Sequence, residues 1–211
     1  TDSSPTLVDI DGDSDLDAFI GNSSGNTLFF RNNGTTINPA FAVPATNPFG
    51  LKDVGFWSSP SFVDIDHDGD LDALTGNGNG NMLFFRNTGS ANTPAFAAPV
   101  TNPFGLVDVG YDSKPAFADI DGDGDQDVFV CTYHSEVKFF RNTGTASNPA
   151  FTAESTTFGL GSNYYSELVF VDIDDDGDLD AFEGYDGHFS INTIFYRNIG
   201  TVNSPVFDDP I

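Results

Sequence analysis

At four places in this chain, five aspartates alternate over nine residues. The segments are Asp9-Ile-Asp-Gly-Asp-Ser-Asp-Leu-Asp17, Asp64-Ile-Asp-His-Asp-Gly-Asp-Leu-Asp72, Asp119-Ile-Asp-Gly-Asp-Gly-Asp-Gln-Asp127 and Asp172-Ile-Asp-Asp-Asp-Gly-Asp-Leu-Asp180. Carboxylates this dense repel one another unless a cation lies among them. Calcium is a hard cation that takes six to eight oxygens at about 2.3–2.6 Å in a flexible cage. Carboxylates at loop positions 1, 3 and 5, a backbone carbonyl at 7 and a closing carboxylate at 9 supply that set. Gly69, Gly124 and Gly177 occupy position 6, where the chain must turn with positive φ. Ser14 stands there in the first loop, which predicts a slightly strained or weaker site. Solvated acidic turns are the plain alternative, but 20 of the 32 acidic residues sit at these shared positions, which speaks against it.

Zinc does not suit the loops, because no His/Cys cluster accompanies them, and magnesium prefers fewer carboxylates and more water. An EF-hand would need Glu at position 12, where Ile20, Thr75 and Val130 stand in three copies and only Glu183 fits. Each ligand set comes from one local loop, with no repeated His or Cys beside it to do acid–base work. The expectation is therefore about four structural Ca²⁺ ions, one per loop, whose binding is part of the folding free energy.

The elements that position these loops repeat with them. The leading aspartates, Asp9, Asp64, Asp119 and Asp172, are 55, 55 and 53 residues apart. A Phe-Phe-Arg-Asn segment follows at 29–32, 84–87 and 139–142, with Phe195-Tyr-Arg-Asn198 as the fourth version. An Asn-Pro-Ala-Phe type segment ends at Phe41, Phe96, Phe151 and Phe207. In the first unit, short apolar runs at 5–10, 16–21 and 27–31 are separated by Gly/Asn/Ser turns, and no 3.6-residue apolar stripe persists. Four strands in such a unit are the size of one propeller blade. The fold class is thus all-β and propeller-like, a single domain over 1–211 with units of approximately 1–56, 57–111, 112–164 and 165–211.

Composition narrows the function classes. Seven Lys+Arg against 32 Asp+Glu give a formal net charge of −25, which repels nucleic acid and anionic membranes. Aromatics make up 14 % of the chain and Phe alone contributes 22 residues, too many for a disordered acidic segment. No transmembrane run or leader is visible, and the lone Cys131 excludes an internal disulfide. No catalytic motif appears, so the chain reads as a non-enzyme.

The segment Phe62-Val-Asp-Ile-Asp-His-Asp-Gly-Asp-Leu-Asp-Ala-Leu-Thr-Gly76 resembles the FG-GAP/VCBS repeat of integrin-α-like propellers, some fungal lectins and bacterial surface proteins. The resemblance covers all four units. It implies side-chain ligation by Asp9, Asp11, Asp13 and Asp17, by Asp64, Asp66, Asp68 and Asp72, by Asp119, Asp121, Asp123 and Asp127, and by Asp172, Asp174, Asp176 and Asp180. It further implies backbone-carbonyl ligation by Asp15, Asp70, Asp125 and Asp178, whose side chains would face solvent or the second layer of ligands. An extracellular or cell-surface location and a structural or adhesive role follow from the same resemblance. Such propellers commonly have more than four blades, so four units must close tightly, stay open, or be completed by another chain. The fourth unit lacks the Asn-Pro-Phe-Gly-Leu stretch of 47–51 and 102–106, and an open sheet edge there would favour a homo-oligomer or filament.

Four further features remain. Arg31, Arg86, Arg141 and Arg197 recur once per unit and are expected to brace loop carboxylates. The turns at 131–135 and 185–190 diverge from the Gly/Asn turns of the first two units, bringing in Tyr133, His134 and Tyr185. With Trp57, Tyr111, Tyr164 and Tyr165 they suit stacking on a sugar ring, so a calcium-dependent lectin binding a glycan is the alternative function. Cys131 is expected to be a buried small hydrophobe, and Asn22-Ser-Ser and Asn33-Gly-Thr are glycosylation sequons.

Overall fold

Each unit folds as an antiparallel meander because its period-2 apolar runs are separated by Gly- and Asn-rich turns. The computed structural model describes residues 3–134, 136–161, 163–186 and 191–208. The first sheet is β1 (Ser3–Val8), β2 (Asp17–Asn22), β3 (Thr27–Phe30) and β4 (Ala45–Thr46). The second is β5 (Ser59–Val63), β6 (Asp72–Gly76), β7 (Met82–Phe85) and β8 (Val100–Thr101). The third is β9 (Lys114–Ala118), β10 (Asp127–Cys131), β11 (Val137–Asn142) and β12 (Phe151–Glu154). Among the described residues the fourth has three strands, β13 (Glu167–Val171), β14 (Asp180–Asp186) and β15 (Ile191–Tyr196). Register repeats with sequence: Phe19 faces Phe29, Leu74 faces Phe84, Phe129 faces Phe139 and Phe182 faces Phe195.

The four sheets are the blades of a β-propeller. Their first strands line one central channel of about 550 Å³, contributing Pro5, Pro60, Pro115 and Leu168 at equivalent positions. Proline fits there because the inner strand is a sheet edge whose outward N–H has no ladder partner to lose. At one end of the channel Ser4 bridges the ring, its Oγ lying 3.0 Å from Ser59 Oγ and donating to Glu167 Oε1 at 2.7 Å. The N-terminal strand β1 therefore pairs within its own blade, and it does not supply a strand to the fourth sheet.

The core lies between blades rather than within them. Ile10, Phe19 and Phe29 pack against Ala73, Phe85 and Phe96 of the next blade, and Leu51 plugs the seam. Ile65, Leu74, Phe84 and Leu106 repeat the arrangement with Val128, Phe140 and Phe151. Ile120, Phe129, Phe139 and Leu160 do so with Ala181, Tyr196 and Phe207. Cys131 is buried in this last cluster, and burial pushes its thiol up to about 12. Glycine is needed where blades touch: a Cβ on Gly76 would stand 1.9 Å from the Ser113 carbonyl oxygen.

Because strand direction alternates, the β1–β2 type connections all emerge at one end of the ring. These are the Asp-rich loops. The β2–β3 turns and the inter-blade segments lie at the opposite end.

Candidate metal centre

The four loops fold alike, each around its first aspartate. Asp9 Oδ1 accepts from Gly12 N at 2.8 Å and Asp13 N at 3.2 Å, and its Oδ2 accepts from Ser14 N at 2.9 Å. Asp64 accepts from Asp68 N and Gly69 N, both at 3.1 Å, and Asp119 and Asp172 repeat the pattern with Asp123, Gly124, Asp176 and Gly177. The position-5 carboxylates Asp13, Asp68, Asp123 and Asp176 each accept from the N–H two residues on. This coiling brings one carboxylate oxygen from each of positions 1, 3 and 5 within 4.8 Å of one another in every loop: Asp9, Asp11 and Asp13; Asp64, Asp66 and Asp68; Asp119, Asp121 and Asp123; Asp172, Asp174 and Asp176.

Position 9 closes each loop from the first residue of the next strand. Asp17, Asp72, Asp127 and Asp180 are 1–2 % exposed. One oxygen of each accepts from the backbone N–H of Asn32, Asn87, Asn142 or Asn198, at 2.6, 2.6, 2.6 and 2.8 Å. The asparagine that ends each Phe-Phe-Arg-Asn segment is thus part of the loop's support, and its own Oδ1 accepts two further N–H groups, Gly34 and Ala40 in the first blade. The preceding arginine works beside it. Arg31, Arg86, Arg141 and Arg197 pair with Oδ2 of Asp11, Asp66, Asp121 and Asp174, all at position 3. The bracing expected of the four arginines is what the structure has.

These contacts leave a consistent remainder. Among the described residues, nine buried carboxylate oxygens in the loops have no hydrogen-bond partner: Oδ1 of Asp11, Asp66 and Asp121, Oδ2 of Asp17, Asp72 and Asp127, and Oδ1 of Asp70, Asp125 and Asp178. In the first three loops the position-3 carboxylate gives one oxygen to arginine and keeps the other unpartnered, and the position-9 carboxylate does the same with the asparagine N–H. Buried anionic oxygens without partners carry a large desolvation penalty. Burial accordingly pushes the carboxyls of Asp72 and Asp127 up to about 7, with neighbouring aspartates adding to the shift and the asparagine N–H opposing it. Asp11, Asp17, Asp66, Asp70, Asp125, Asp174 and Asp178 are raised too, again chiefly by burial. A cation would relieve all of them at once, and an all-oxygen donor set suits a hard divalent ion.

Two details were not legible in the sequence. Position 4 is left-handed as well as position 6: Gly12, His67, Gly122 and Asp175 have φ of 70, 59, 67 and 63°. Glycine in two of the four copies was the available signal. Position-7 side chains also turn inward, with Asp125 and Asp178 buried and an oxygen of each unpartnered, where the resemblance placed them toward solvent or outer ligands. Ser14 does adopt the left-handed corner, at φ 73° against 95, 93 and 94° for Gly69, Gly124 and Gly177.

At the opposite end of the ring the divergent turns converge. Trp57, Tyr111, Asp112, Tyr133, His134 and Tyr165 line a cavity of about 320 Å³. Tyr133 meets Tyr165 edge to face at 4.8 Å and His134 at 5.0 Å. Tyr164 touches Tyr133 from outside, at 6.2 Å. Tyr185 lies on β14 and is not among the lining residues, while Ser135 and the turn residues 187–190 lie outside the described residues.

A family model for the FG-GAP-like repeat matches residues 9–75 and 119–182, together more than half of the chain. The chain belongs to the FG-GAP-like repeat family. Each matched stretch starts at the first aspartate of a loop and runs into the second strand of the following blade, so the family's signature coincides with the loops and seams described above. No curated protein matches the chain. No helix among the described residues is long and apolar enough to cross a membrane.

Proposed function

We propose that this FG-GAP-like propeller is an extracellular, calcium-stabilised module with a structural or adhesive role and no enzymatic one. The observation that carries the reading is the set of unpartnered, buried carboxylate oxygens at the centre of the loops. Positions 1, 3, 5 and 9 would hold the ion by side chain and position 7 by its carbonyl, with the inward side chains of Asp70, Asp125 and Asp178 as further oxygen donors. Bound calcium would supply charge neutralisation, linking both ends of each loop to the blade that Arg and Asn brace. Loops of this kind are matched to a calcium-rich exterior, where extracellular modules have Kd of about 10⁻⁴–10⁻³ M. The family's repeats are usually extracellular, which supports the same location. Circular dichroism with light scattering in calcium and in excess EGTA tests the reading: loss of β-signal on chelation is expected, and an unchanged melting curve would sink it.

A second reading, a calcium-dependent lectin, draws support from the aromatic cavity. Five ring-bearing residues from three inter-blade segments and the divergent turn of the third blade face one space, beside the buried carboxylate of Asp112. Such walls stack on the apolar face of a sugar while tyrosine hydroxyls and a carboxylate take its hydroxyls. Glycan-array binding that disappears in Tyr133→Ala would support this reading, and an array without signal would remove it.

A further inference from the structure

The propeller has four seams between blades, and the described residues form packed cores in three of them. Position 2 of each metal loop shows the difference. Ile10, Ile65 and Ile120 are 2, 4 and 2 % exposed because the following blade covers them, whereas Ile173 is 55 % exposed. On the other wall, Phe96, Phe151 and Phe207 are 5–7 % exposed and the equivalent Phe41 is 49 %. Leu7, Leu16 and Val171 are likewise open. The seam between the fourth and first blades is therefore an apolar groove, tied across at one end by the Ser4–Glu167 hydrogen bond.

The three filled seams show what such a groove takes. Each holds a Phe-Gly-Leu corner: Phe49-Gly50-Leu51, Phe104-Gly105-Leu106 and Phe158-Gly159-Leu160. The phenylalanines have φ of 58, 58 and 56° and the glycines 102, 97 and 98°, so the corner has one fixed shape. Its leucine is 3–5 % exposed and joins the seam's core. Its phenylalanine carbonyl accepts from the wall phenylalanine, Phe49 O from Phe96 N at 2.7 Å and Phe158 O from Phe207 N at 3.0 Å. The glycine is obligatory, since a Cβ on Gly50 would lie 2.4 Å from the Phe96 carbonyl oxygen. Phe41 stands in the fourth seam where Phe96 and Phe207 stand in theirs.

We infer that the groove between Phe41 and Ile173 is a docking site for a partner peptide that makes the same Phe-Gly-Leu corner. The surface proposed here is a blade face, distinct from the open sheet edge through which self-assembly was expected. Its walls include Ile173 and Leu16, which sit between ligand positions of the fourth and first loops, so the titration is run in saturating calcium to keep failure of the two ideas distinguishable.

The test is titration of the full chain, in calcium, with its own segment Thr46–Gly55 as a capped synthetic peptide, read by calorimetry. Saturable 1:1 binding is expected. Peptides carrying Gly50→Ala or Leu51→Ala should bind at least about tenfold more weakly, a loss of about 1.4 kcal/mol or more. Phe41→Ser in the protein should weaken binding as much, and its unchanged calcium-dependent melting shows that the fold survives. No binding at millimolar peptide by a folded monomer would overturn the inference. So would equal binding of the Gly50→Ala peptide, which marks unspecific apolar adhesion. A chain that is dimeric, and that Phe41→Ser turns monomeric, would overturn it in favour of a second copy as the occupant.

Discussion

The two ends of this propeller are built from the same repeat and have diverged to different degrees. At the loop end, all four copies keep five aspartates, an arginine and an asparagine in one hydrogen-bonding pattern. At the other end, Trp57, Asp112 and Tyr165 occupy equivalent corners, each left-handed at φ 51–58°, yet carry an indole, a carboxylate and a phenol. The backbone is repeated at both ends, and only one end repeats its side chains. A loop that buries several carboxylate oxygens in one hydrogen-bonding pattern admits few substitutions at any copy. A corner that the blade geometry fixes leaves its side chain free to serve the single space at the mouth of the ring.

Stripping calcium should separate the two ends most strongly. At free calcium a hundredfold above Kd, each independent site contributes about 2.7 kcal/mol. Four such sites give about 11 kcal/mol, which at about 2–4 °C per kcal/mol lowers Tm by about 20 °C or more when EGTA is added. Calorimetric melting checks this, and a shift of only a few degrees would place the stability elsewhere. Asp127→Asn comes next: it preserves the shape beside Asn142 but removes one buried charge. Calcium stoichiometry should fall from four to three, with Tm in calcium lowered by about 5–10 °C.

The pH dependence tests the same end by its sign. Asp72 and Asp127 have folded pKa values of about 7, raised by burial above the ordinary 3.8. The metal-free fold binds protons that the unfolded chain has released, so stability from these groups is full below about pH 4 and lost as pH rises through 7. Metal-free protein should melt lower at pH 8 than at pH 5, while added calcium, competing with those protons, should raise Tm more at pH 8. Melting scans with and without calcium at both pH values would contradict this by showing parallel curves.

Smaller effects sharpen the comparison within and between ends. Ser14→Gly relieves a left-handed serine and should stabilise the first loop by about 1 kcal/mol, with Gly69→Ser costing a similar amount in the second. A calcium titration of each variant reads the difference. Tyr133→Ala, at the far end, should leave calcium affinity and the EGTA-induced melting shift unchanged. A coupled change would mean that the two ends are not independent.

Much of the loop chemistry was open to sequence reasoning because it is local. Alternating aspartates with glycine at position 6 dictate a coiled, oxygen-lined loop whatever surrounds it, and a 55-residue period dictates stacked β-units. The arginines could be assigned to bracing because four of the seven basic residues recur at one offset from four acidic loops. What stayed hidden depends on neighbours distant in sequence. The asparagine N–H that caps each position-9 carboxylate lies 15–18 residues away across the sheet, and no spacing rule marks it. Tyr133 and Trp57 could be picked out as candidate stacking rings in separate turns, but only the closed ring sets them around one cavity. Ile10 and Ile173 are the same residue at the same repeat position, yet one is buried and the other open. The sequence by itself determined the repeat, the strand pattern and the four acidic loops, since each follows from contacts within about one unit. The tertiary structure alone decided which seams are filled, which carboxylate oxygens are left without partners and which aromatic rings meet, because burial depends on the neighbouring blade.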